Sequence, residues 1–582
     1  MYNLNDLYQG FDDSKFKADI ELLETKLKDL QNLSLENSQK ALKTAILHLE
    51  SLKDLTATLF GYCALVVAAD TANEKANQYQ FQLSQLLANY TKDLTKVEKY
   101  FGSLDEIETL IADDEVLSEY KFYFQEAKKD YQYLLADEIE EIISKFSISG
   151  GDGWSNMYRY LTSKATIDYQ GKTTTLNELR NLAYDQEAEV RKSAYQAELK
   201  LTESIADAIA FALNNIKSQV LTTLELRGYE SIMDLTLQQN RMQAETLDAL
   251  LSAMQAYLPK FREFLKQKAK LLGHSDGLPW YDLFAPLTSD QSAKHYSIEQ
   301  AKNYLIQLFS KFSPDLAEMT QQHFEKDWID FLPRDGKVGG AFCANLPQLK
   351  QSRVLTNYGY QFSDIVTLAH ELGHSYHGLH TQDHRPLNRR YTMPVAETAS
   401  TFNEVLLMHY GLEAASDQEK LILLESSLSD LTQIIVDIYS RYVFEKEVFD
   451  RRTQKFMFKE ELSEMMLEAQ KQAYGDSLQE AGLHPYMWVV KGHYYRPSLS
   501  FYNFPYAFGG LFARGLFAQY LEKPEGFVEK YQALLKATTV NSVEDAALKM
   551  DIDVRNPEFW HQALELAAQQ IDTFIELSKK AD

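Results

Sequence analysis

Two histidines and a glutamate in residues 365–376 have the types and the spacing that metal chemistry requires. His370 and His374 stand four residues apart, and Glu371 follows the first histidine, in the pattern H-E-x-x-H. Residues four apart share one face of a helix, so both imidazoles could bind one metal ion. Glu371 would lie about 100° further round the helix and could take a proton from water at that ion. The pattern therefore predicts metal-assisted hydrolysis, and two neutral imidazoles favour zinc.

The surrounding residues predict the helix that this motif needs. Ser363 is a suitable N-cap, Asp364 suits the positive end of the helix dipole, and no proline follows until Pro386. Apolar residues recur at helical spacing and would give the helix a separate face to bury: Ile365, Leu368 and Leu372. The alternative is an ordinary helix that carries the motif by chance, and such a helix would bind no stoichiometric zinc.

A catalytic zinc site usually has three protein ligands, with water completing the site. Three downstream residues are candidates for the third ligand: His377, His380 and Glu397. His380 has the offset used by enzymes with H-E-x-x-H-x-x-G-x-x-H, but the glycine on which that pattern turns is displaced by one place, to Gly378. His377 could face the site, but it would crowd the position that water needs.

Glu397 is the candidate that a second helix could supply. Pro394 can begin a helix, and Glu397 falls in its first turns. If this helix packs across the first one, Glu397 completes a set of two histidines and one carboxylate. Glu404 lies seven residues further along on nearly the same face and could accept the N–H of a ligating histidine. A solvated helix glutamate is the alternative for both residues.

Aromatic residues and one histidine cluster much further along the chain, in residues 492–510. Peptide hydrolysis at zinc develops an oxyanion, and tyrosine O–H or histidine N–H groups are suitable donors to it. The candidates are His493, Tyr502 and Tyr506. Packing in an aromatic core is the alternative, in a chain with 35 tyrosines and 31 phenylalanines.

Composition limits the classes of protein to which the chain can belong. The 582 residues are 45% hydrophobic, which allows a large core and predicts two or more lobes. A net charge of −25 argues against nucleic acid and anionic membranes as partners. The first residues lack the basic and apolar regions of a signal peptide, and the longest apolar stretch, near residues 63–69, looks too short to span a bilayer.

Cysteine usage points to a reducing compartment. The two cysteines, Cys63 and Cys343, do not belong to a C-x-x-C pair. We therefore expect no disulfide framework and a cytoplasmic location. Cys343 is expected to be a small buried residue, because no base partner for a reactive thiol is evident near it in the sequence.

The remaining patterns outline the elements around the motif. Residues 13–101 have long-period helical patterning without proline. A turn-rich break at residues 149–154 precedes a short hairpin that turns at Gln170-Gly171, and helical patterning then resumes up to a soft domain boundary near residue 195. Residues 334–345 and 352–358 predict a small antiparallel sheet directly before the metal helix. Its edge strand could hold an extended peptide by main-chain hydrogen bonds, or be an ordinary structural hairpin.

Together these motifs resemble oligoendopeptidase F, a bacterial branch of the zinc oligopeptidases related to thimet oligopeptidase. The resemblance rests on His370-Glu371-Leu372-Gly373-His374, on Glu397 with Ala399-Ser400-Thr401-Phe402-Asn403-Glu404, and on the Tyr502/Tyr506 segment. Gly339-Gly340-Ala341-Phe342 and the hairpin lobe ending near Arg191 and Tyr195 also match, so the resemblance covers nearly the whole chain. The tyrosine spacing differs from that of the thimet branch by one residue around Phe508-Gly509.

The resemblance implies a mainly α fold, a two-lobed helical ellipsoid that encloses a deep channel. We divide the chain into an N-terminal helical lobe of residues 1–195 and a catalytic metallopeptidase domain of residues 196–582. One zinc ion per chain would be held by His370, His374 and Glu397.

In the roles that the resemblance implies, Glu371 is the general base. His493, Tyr502 and Tyr506 contact the transition state or the substrate. The implied activity is hydrolysis of internal bonds of short peptides in the cytoplasm, without nucleic acid, membrane or an obligate protein partner. A zinc carboxypeptidase and a non-catalytic helical binding protein are the alternatives.

Overall fold

A computed structural model describes residues 1–287 and 295–581, and this part of the chain is mainly α-helical, as expected. Its first helices are α1 Ser14–Asp29, α2 Gln39–Ala69, α3 Glu74–Asn89, α4 Thr91–Ser103, α5 Ile107–Ile111, α6 Glu115–Ser118, α7 Lys121–Tyr131, α8 Asp137–Ser149, α9 Gly151–Lys164, α10 Leu176–Asn181, α11 Ala188–Arg227, α12 Ile232–Asn240 and α13 Ala244–Leu271. Those that follow are α14 Ile298–Ser310, α15 Pro314–Glu325, α16 Phe362–Thr381, α17 Met393–Ala396, α18 Thr398–Ala414, α19 Asp417–Thr432, α20 Ile438–Arg452, α21 Lys459–Tyr474, α22 Met487–Val490, α23 Phe504–Glu522, α24 Phe527–Ala537, α25 Val543–Ala547 and α26 Pro557–Ala581.

Two small sheets and several short turns complete the described elements. The strands are β1 Thr166–Tyr169, β2 Lys172–Thr175, β3 Ile329–Asp330, β4 Phe342–Leu346 and β5 Gln351–Leu355. Short 3₁₀ turns lie at Leu30–Asn32, Leu182–Tyr184, Trp280–Asp282, Pro386–Asn388, Gly475–Ser477, Glu480–Gly482, Gly492–Tyr495 and Leu548–Met550. One π-helical turn, Gln433–Asp437, joins α19 to α20.

The N-terminal helices are long, as their patterning predicts, and they begin at polar caps. The side chains of Asp13, Ser38 and Asn73 accept hydrogen bonds from N–H groups in the first turns of α1, α2 and α3. These helices and α7 enclose one hydrophobic core. That core reaches Leu346 and Leu355, so the N-terminal helices pack directly on the second sheet.

Helix α2 corrects the expectation that the apolar stretch near residues 63–69 is too short to span a bilayer. By length and composition, it is the one helix in the described ranges that could cross a membrane. Of its most apolar 18-residue window, 39% is buried inside the protein. Helix α2 packs against α1, α3 and β4, with Leu59 and Cys63 fully buried.

The glycine-rich stretch at residues 149–154 is mostly helical, which corrects the expected turn-rich break. Gly150 alone separates α8 from α9, and Gly151 already begins α9. Gln219 accepts a hydrogen bond from the N–H of Gly151, and a Cβ at Gly151 would lie 2.9 Å from Pro497. The glycine at 151 therefore permits close packing and does not form a loop.

The predicted hairpin is confirmed. Strands β1 and β2 pair antiparallel and turn at Gln170 and Gly171. These two residues have φ angles of +53° and +81°, which a two-residue hairpin turn requires. Beyond the hairpin, α11 runs without a break through residue 195. The domain boundary near that residue stays a prediction.

The second sheet has the order β3-β5-β4. Strands β4 and β5 pair antiparallel, as predicted, whereas β3 adds a parallel neighbour that the sequence patterns did not indicate. Residues 334–341, expected to belong to the first strand, precede β4 as turns. Both β4 and β5 pack on α16, so the sheet lies beside the helix that carries the metal motif.

The largest hydrophobic core surrounds α16 and α18 together with α13, α23 and α26. The predicted inner face of α16 belongs to it, with three fully buried side chains: Ile365, Leu368 and Leu372. Burial of this face fixes the rotation of α16 about its axis and leaves the histidines of the motif on another side. The division into two lobes around a deep channel stays a prediction.

Candidate metal centre

Helix α16 begins before the cap that the sequence predicts. Its N-cap is Gln361, and the side chain of Asp364 accepts the backbone N–H of Gln361 at 2.7 Å, closing a capping box. Ser363, the expected N-cap, therefore lies inside the first turn. The reason is that Asp364 stands three residues after Gln361, the distance over which a side chain reaches back to the cap.

Glu397 reaches the face of α16 from a helix junction. It lies between α17 and α18, and not within the first turns of a single helix as predicted. Gly373 lets the two helices cross closely, because a Cβ there would lie 2.4 Å from the backbone oxygen of Ala399. This close crossing brings the carboxylate of Glu397 to the side of α16 that carries His370 and His374.

The three predicted ligands meet at one point. The Oε2 oxygen of Glu397 lies 3.4 Å from Nε2 of His370 and 3.4 Å from Nε2 of His374. One donor atom from each residue lies within 4.8 Å of the others. Two ligands about 2.0–2.1 Å from a tetrahedral zinc ion are roughly 3.3 Å apart, so both distances from Glu397 match a zinc site, and the donors fit zinc in chemical type.

Two side chains contact these donors directly, and a third joins the two helices that carry them. Glu404 lies with its Oε1 oxygen 2.5 Å from Nδ1 of His370, in the supporting position that the sequence allows for it. Ser400 donates to Oε2 of Glu397 at 2.8 Å, and Asn403 donates to the carbonyl of Ala369 at 3.0 Å. Sequence reasoning missed Ser400 and Asn403. Ser400 stands three residues after Glu397, a spacing at which two side chains can bond to each other, so the sequence contains a signal for it. No feature of the neighbouring sequence indicates Asn403.

Glu371 is buried and has an unusual pKa for a glutamate. Its side chain is buried, with 5% of the residue exposed, and its Oε2 oxygen has no hydrogen-bond partner among the described residues. Burial, more than any neighbouring charge, raises the pKa of Glu371 to about 7. A carboxylate with a free oxygen and a pKa near neutrality can both accept and return a proton.

Neither of the other two histidine candidates joins this group. His377 is fully buried, its Nε2 lies 2.8 Å from Oγ1 of Thr538, and its ring stacks on Tyr391. His380 points to another helix, with its Nε2 3.8 Å from Asp315. The displaced glycine explains the second case, since α16 continues to Thr381 and does not turn at the eighth residue of the motif.

The structure brings the three downstream candidates together. The hydroxyl groups of Tyr502 and Tyr506 are 2.9 Å apart, and the ring of His493 stacks on that of Tyr502 with centroids 4.7 Å apart. Tyr506 lies on α23, three residues before Gly509, where a Cβ would lie 3.1 Å from the Cβ of Glu397. Tyr506 is therefore on the helix that packs against Glu397, and Tyr502 lies just before that helix begins.

The surroundings of Tyr506 and His493 determine the protonation states of their side chains. Burial raises the pKa of Tyr506, and Tyr502 and Glu397 add to this shift, so the phenol stays protonated. Burial lowers the pKa of His493 to about 4, with Arg441 and other cations contributing. A neutral His493 can donate through one of its two nitrogens, and its Nδ1 has no partner among the described residues.

Cys343 is partly buried, whereas a buried residue was expected. Its Sγ lies 3.2 Å from Oγ of Ser375 on α16, and burial raises the pKa of the thiol to about 12. Both Cys343 and Cys63 are free cysteines. A thiol with this pKa is protonated and unreactive. Among the described residues, the group that could hold a metal ion consists of His370, His374 and Glu397 and does not include Cys343.

Known proteins resemble this chain along most of its length. The family model described as Peptidase family M3 matches residues 181–566, and the model described as Oligopeptidase F matches residues 103–166. Oligopeptidase PepF of Bacillus subtilis (strain 168) is 25% identical over 566 residues, covering 94% of this chain and 82% of the relative.

Solved structures share the fold. A crystal structure of a Chlamydophila abortus protein superposes with a TM-score of 0.86 at 21% identity, covering 99% of this chain and 98% of that chain. Oligoendopeptidase-F from Enterococcus faecium superposes with a TM-score of 0.73 at 19% identity, covering 97% of this chain and 99% of that chain. At these identities the likeness establishes the fold alone.

The family match, the fold and the group of two histidines and one glutamate define a metallopeptidase that acts on peptides. The M3 model spans more than half of the sequence, and the chain belongs to peptidase family M3. The resemblance to oligoendopeptidase F drawn from the sequence motifs is thereby confirmed.

Proposed function

We propose that this protein is a zinc-dependent endopeptidase that hydrolyses internal bonds of short peptides in the cytoplasm. One zinc ion per chain would be held by His370, His374 and Glu397. The observation that carries the proposal is the 3.4 Å spacing of Glu397 from both histidines, beside a buried glutamate with a free carboxylate oxygen. The names of the relatives, oligopeptidase and oligoendopeptidase, support short peptides as substrates.

Glu371 would act as the general base and then the general acid. The chemistry that zinc supplies when bound is polarisation of a carbonyl group and activation of water. Glu371 accepts the proton of the attacking water at its free Oε2 oxygen and returns it to the leaving amine. Burial raises the pKa of Glu371 towards neutrality. The side chain can therefore both accept the proton from water and release it to the amine.

The tyrosine pair and His493 would stabilise the oxyanion that develops at the scissile carbonyl. Because Tyr502 and Tyr506 share a hydrogen bond, one hydroxyl can donate to the other while the second donates to the substrate. Removing one such donor typically costs about 3–4 kcal/mol of transition-state stabilisation.

The edge strand β4 would hold the substrate. Within the described residues β4 pairs with β5 on one side, and it packs on α16 beside the proposed ligands. An extended peptide could add to its free edge through main-chain hydrogen bonds, which read no side chains and suit varied peptides. The net charge of −25 supports peptides over nucleic acid or anionic membranes as partners, and the free cysteines support a reducing compartment.

The test is cleavage of an internally quenched peptide blocked at both ends, measured before chelation, after chelation and after zinc is added back. We expect cleavage that stops with the chelator and returns with zinc. Cleavage only of peptides with a free C-terminus would instead establish a carboxypeptidase, since that reaction needs the terminal carboxylate. Absence of both cleavage and stoichiometric zinc would overturn the proposal in favour of a helical binding protein.

A further inference from the structure

The segment of residues 491–503, here called the donor loop, carries two of the three proposed oxyanion donors, His493 and Tyr502. It runs between α22 and α23, and its one regular stretch is the 3₁₀ turn Gly492–Tyr495. Phe501, directly before Tyr502, is buried and has a φ of +51°, a left-handed conformation that a phenylalanine rarely adopts. A loop in this conformation needs contacts from elsewhere in the fold to hold it.

One buried ion pair supplies contacts at both ends of the donor loop. On α20 and the π-helical turn before it, Arg441 pairs with Asp437 four residues earlier. At the far end of the loop, the guanidinium of Arg441 donates from Nη1 to Oδ1 of Asn503 at 3.0 Å. At the near end, Nζ of Lys491 lies 3.8 Å from Oδ2 of Asp437.

The ion pair between Asp437 and Arg441 is largely shielded from water. The side chains of Asp437 and Arg441 are 5% and 14% exposed, so water screens their attraction poorly. Asn503 is 3% exposed, and its contact with Arg441 is therefore also sheltered. A π-helical turn, here Gln433–Asp437, is rare and often occurs at functional sites.

Asn503 is the residue that links the ion pair to the tyrosine. It follows Tyr502 directly in the chain and is the N-cap of α23, the helix that carries Tyr506. A shift of Asn503 would therefore move the hydroxyl of Tyr502 relative to that of Tyr506. The 2.9 Å separation of those hydroxyls depends on this placement.

We propose that the Asp437–Arg441 ion pair is a positioning device for the donor loop, which acts through Asn503 to hold the hydroxyl of Tyr502 at the oxyanion. This inference rests on the proposed function, in which Tyr502 is one of the donors. Neither Asp437 nor Arg441 touches the reacting atoms. Their contribution is to kcat, because a displaced donor weakens transition-state binding more than substrate binding.

The experiment is a double-mutant cycle of Asn503→Ala with Tyr502→Phe, measured as kcat and KM on the doubly blocked peptide. Asn503→Ala removes the acceptor for Arg441 and leaves the ion pair intact, so the protein should still fold. We expect Asn503→Ala alone to lower kcat about tenfold or more with KM changed less than about twofold. In the Tyr502→Phe background the same change should cost less than about twofold, because its effect passes through the lost hydroxyl.

A second variant and a matched control complete the test. Arg441→Lys keeps the positive charge but not the planar fork that contacts Asp437 and Asn503 together, so its loss of kcat should match that of Asn503→Ala. Asn214→Ala removes another fully buried asparagine, which bonds the backbone of Met457 in both directions. It should lower the melting temperature and leave kcat unchanged.

The outcomes separate this inference from the proposed function. Suppose that Tyr502→Phe lowers kcat, and that Asn503→Ala lowers kcat by the same factor in the parent and in the Tyr502→Phe background. The positioning role is then overturned, while the tyrosine keeps its assignment. If Tyr502→Phe leaves kcat unchanged, the assignment of that donor fails and the inference falls with it. Zinc-dependent cleavage of the blocked peptide tests the proposed function itself in either case.

Discussion

The Oε1 oxygen of Glu404 lies 2.5 Å from the Nδ1 nitrogen of His370, so the opposite nitrogen of that ring, Nε2, faces Glu397. A carboxylate at Nδ1 holds the hydrogen there and leaves the Nε2 lone pair free to bind a metal. It also fixes the rotation of the ring. Glu404 therefore contacts one nitrogen of the first histidine of the motif, and the other nitrogen is left facing Glu397.

Replacing Glu404 should weaken metal binding without removing a ligand. We expect Glu404→Gln to lower zinc affinity about 10–100-fold, the range typical of such supporting carboxylates. Competition with a chelator of known affinity measures the change. Glu413→Gln is the matched control, because Glu413 lies on the same helix with its side chain 61% exposed. Equal affinities in both variants and the parent would contradict the role of Glu404.

Replacing Glu371 should separate metal binding from turnover. We expect Glu371→Gln to keep one zinc ion per chain and to lower kcat about 10²–10⁴-fold or more, since the amide cannot accept the proton of water. Zinc content and peptide cleavage are measured on the same sample. A variant that keeps most of its activity would rule out Glu371 as the base.

The third ligand can be decided by a pair of alanine variants. Glu397→Ala should lose both zinc and activity, because its carboxylate is one of the three donors that converge. His380→Ala should keep the metal, since His380 lies on the Asp315 side of α16. The measurement is metal content after dialysis against zinc-free buffer. The reverse pattern would assign the third position to His380.

A methyl group at the helix crossing should disturb the metal centre from outside it. Gly373→Ala would place a Cβ 2.4 Å from the backbone oxygen of Ala399, and backbone can move away only by separating α16 from α18. We expect loss of zinc affinity and a lower melting temperature, with a cost of about 1–3 kcal/mol typical of overpacking. Gly339→Ala, which would meet no atom within 4 Å, should change neither property.

A buried histidine should make the fold sensitive to acid. His323 is 2% exposed, with its ring nitrogens 2.8 Å from the carbonyl of Met319 and 2.7 Å from Oγ of Ser352. Burial lowers the pKa of His323 to about 4. The folded pKa is below the unfolded value, so the unfolded chain binds the extra proton first. The contribution of neutral His323 to the free energy of unfolding is on the order of 3 kcal/mol. It is complete above about pH 6.5 and is lost as the pH falls towards 4.

Urea unfolding between pH 7.5 and 4.5 measures this contribution, with a chelator present so that release of metal adds nothing. The slope of the unfolding free energy against pH reports how many more protons the unfolded chain binds than the folded one. In His323→Gln this number should fall by about one. His561→Gln, at a side chain that is 39% exposed, should leave the dependence unchanged. An unchanged slope in His323→Gln would show that this histidine does not carry the acid sensitivity.

The sequence by itself determined the parts of the site that depend on local geometry. The four-residue spacing of His370 and His374 places both on one side of any helix, and the apolar spacing from Ile365 to Leu372 fixes the side that is buried. The hairpin turn at Gln170 and Gly171 was likewise predictable, because a turn is decided by its own residues. The other candidates were also visible in the sequence, and the family resemblance assigned roles among them.

Tertiary structure decided the choices that depend on how distant helices cross. The residues alone left Glu397 and His380 open as the third ligand, and the crossing of α18 over Gly373 brings Glu397 to the histidines. The same crossing brings Glu404 to Nδ1 of His370. The contact of Arg441 with Asn503 joins residues 62 positions apart. No periodicity in a sequence reports such a contact, because it is set by the packing of two separate helices and not by the spacing within either of them.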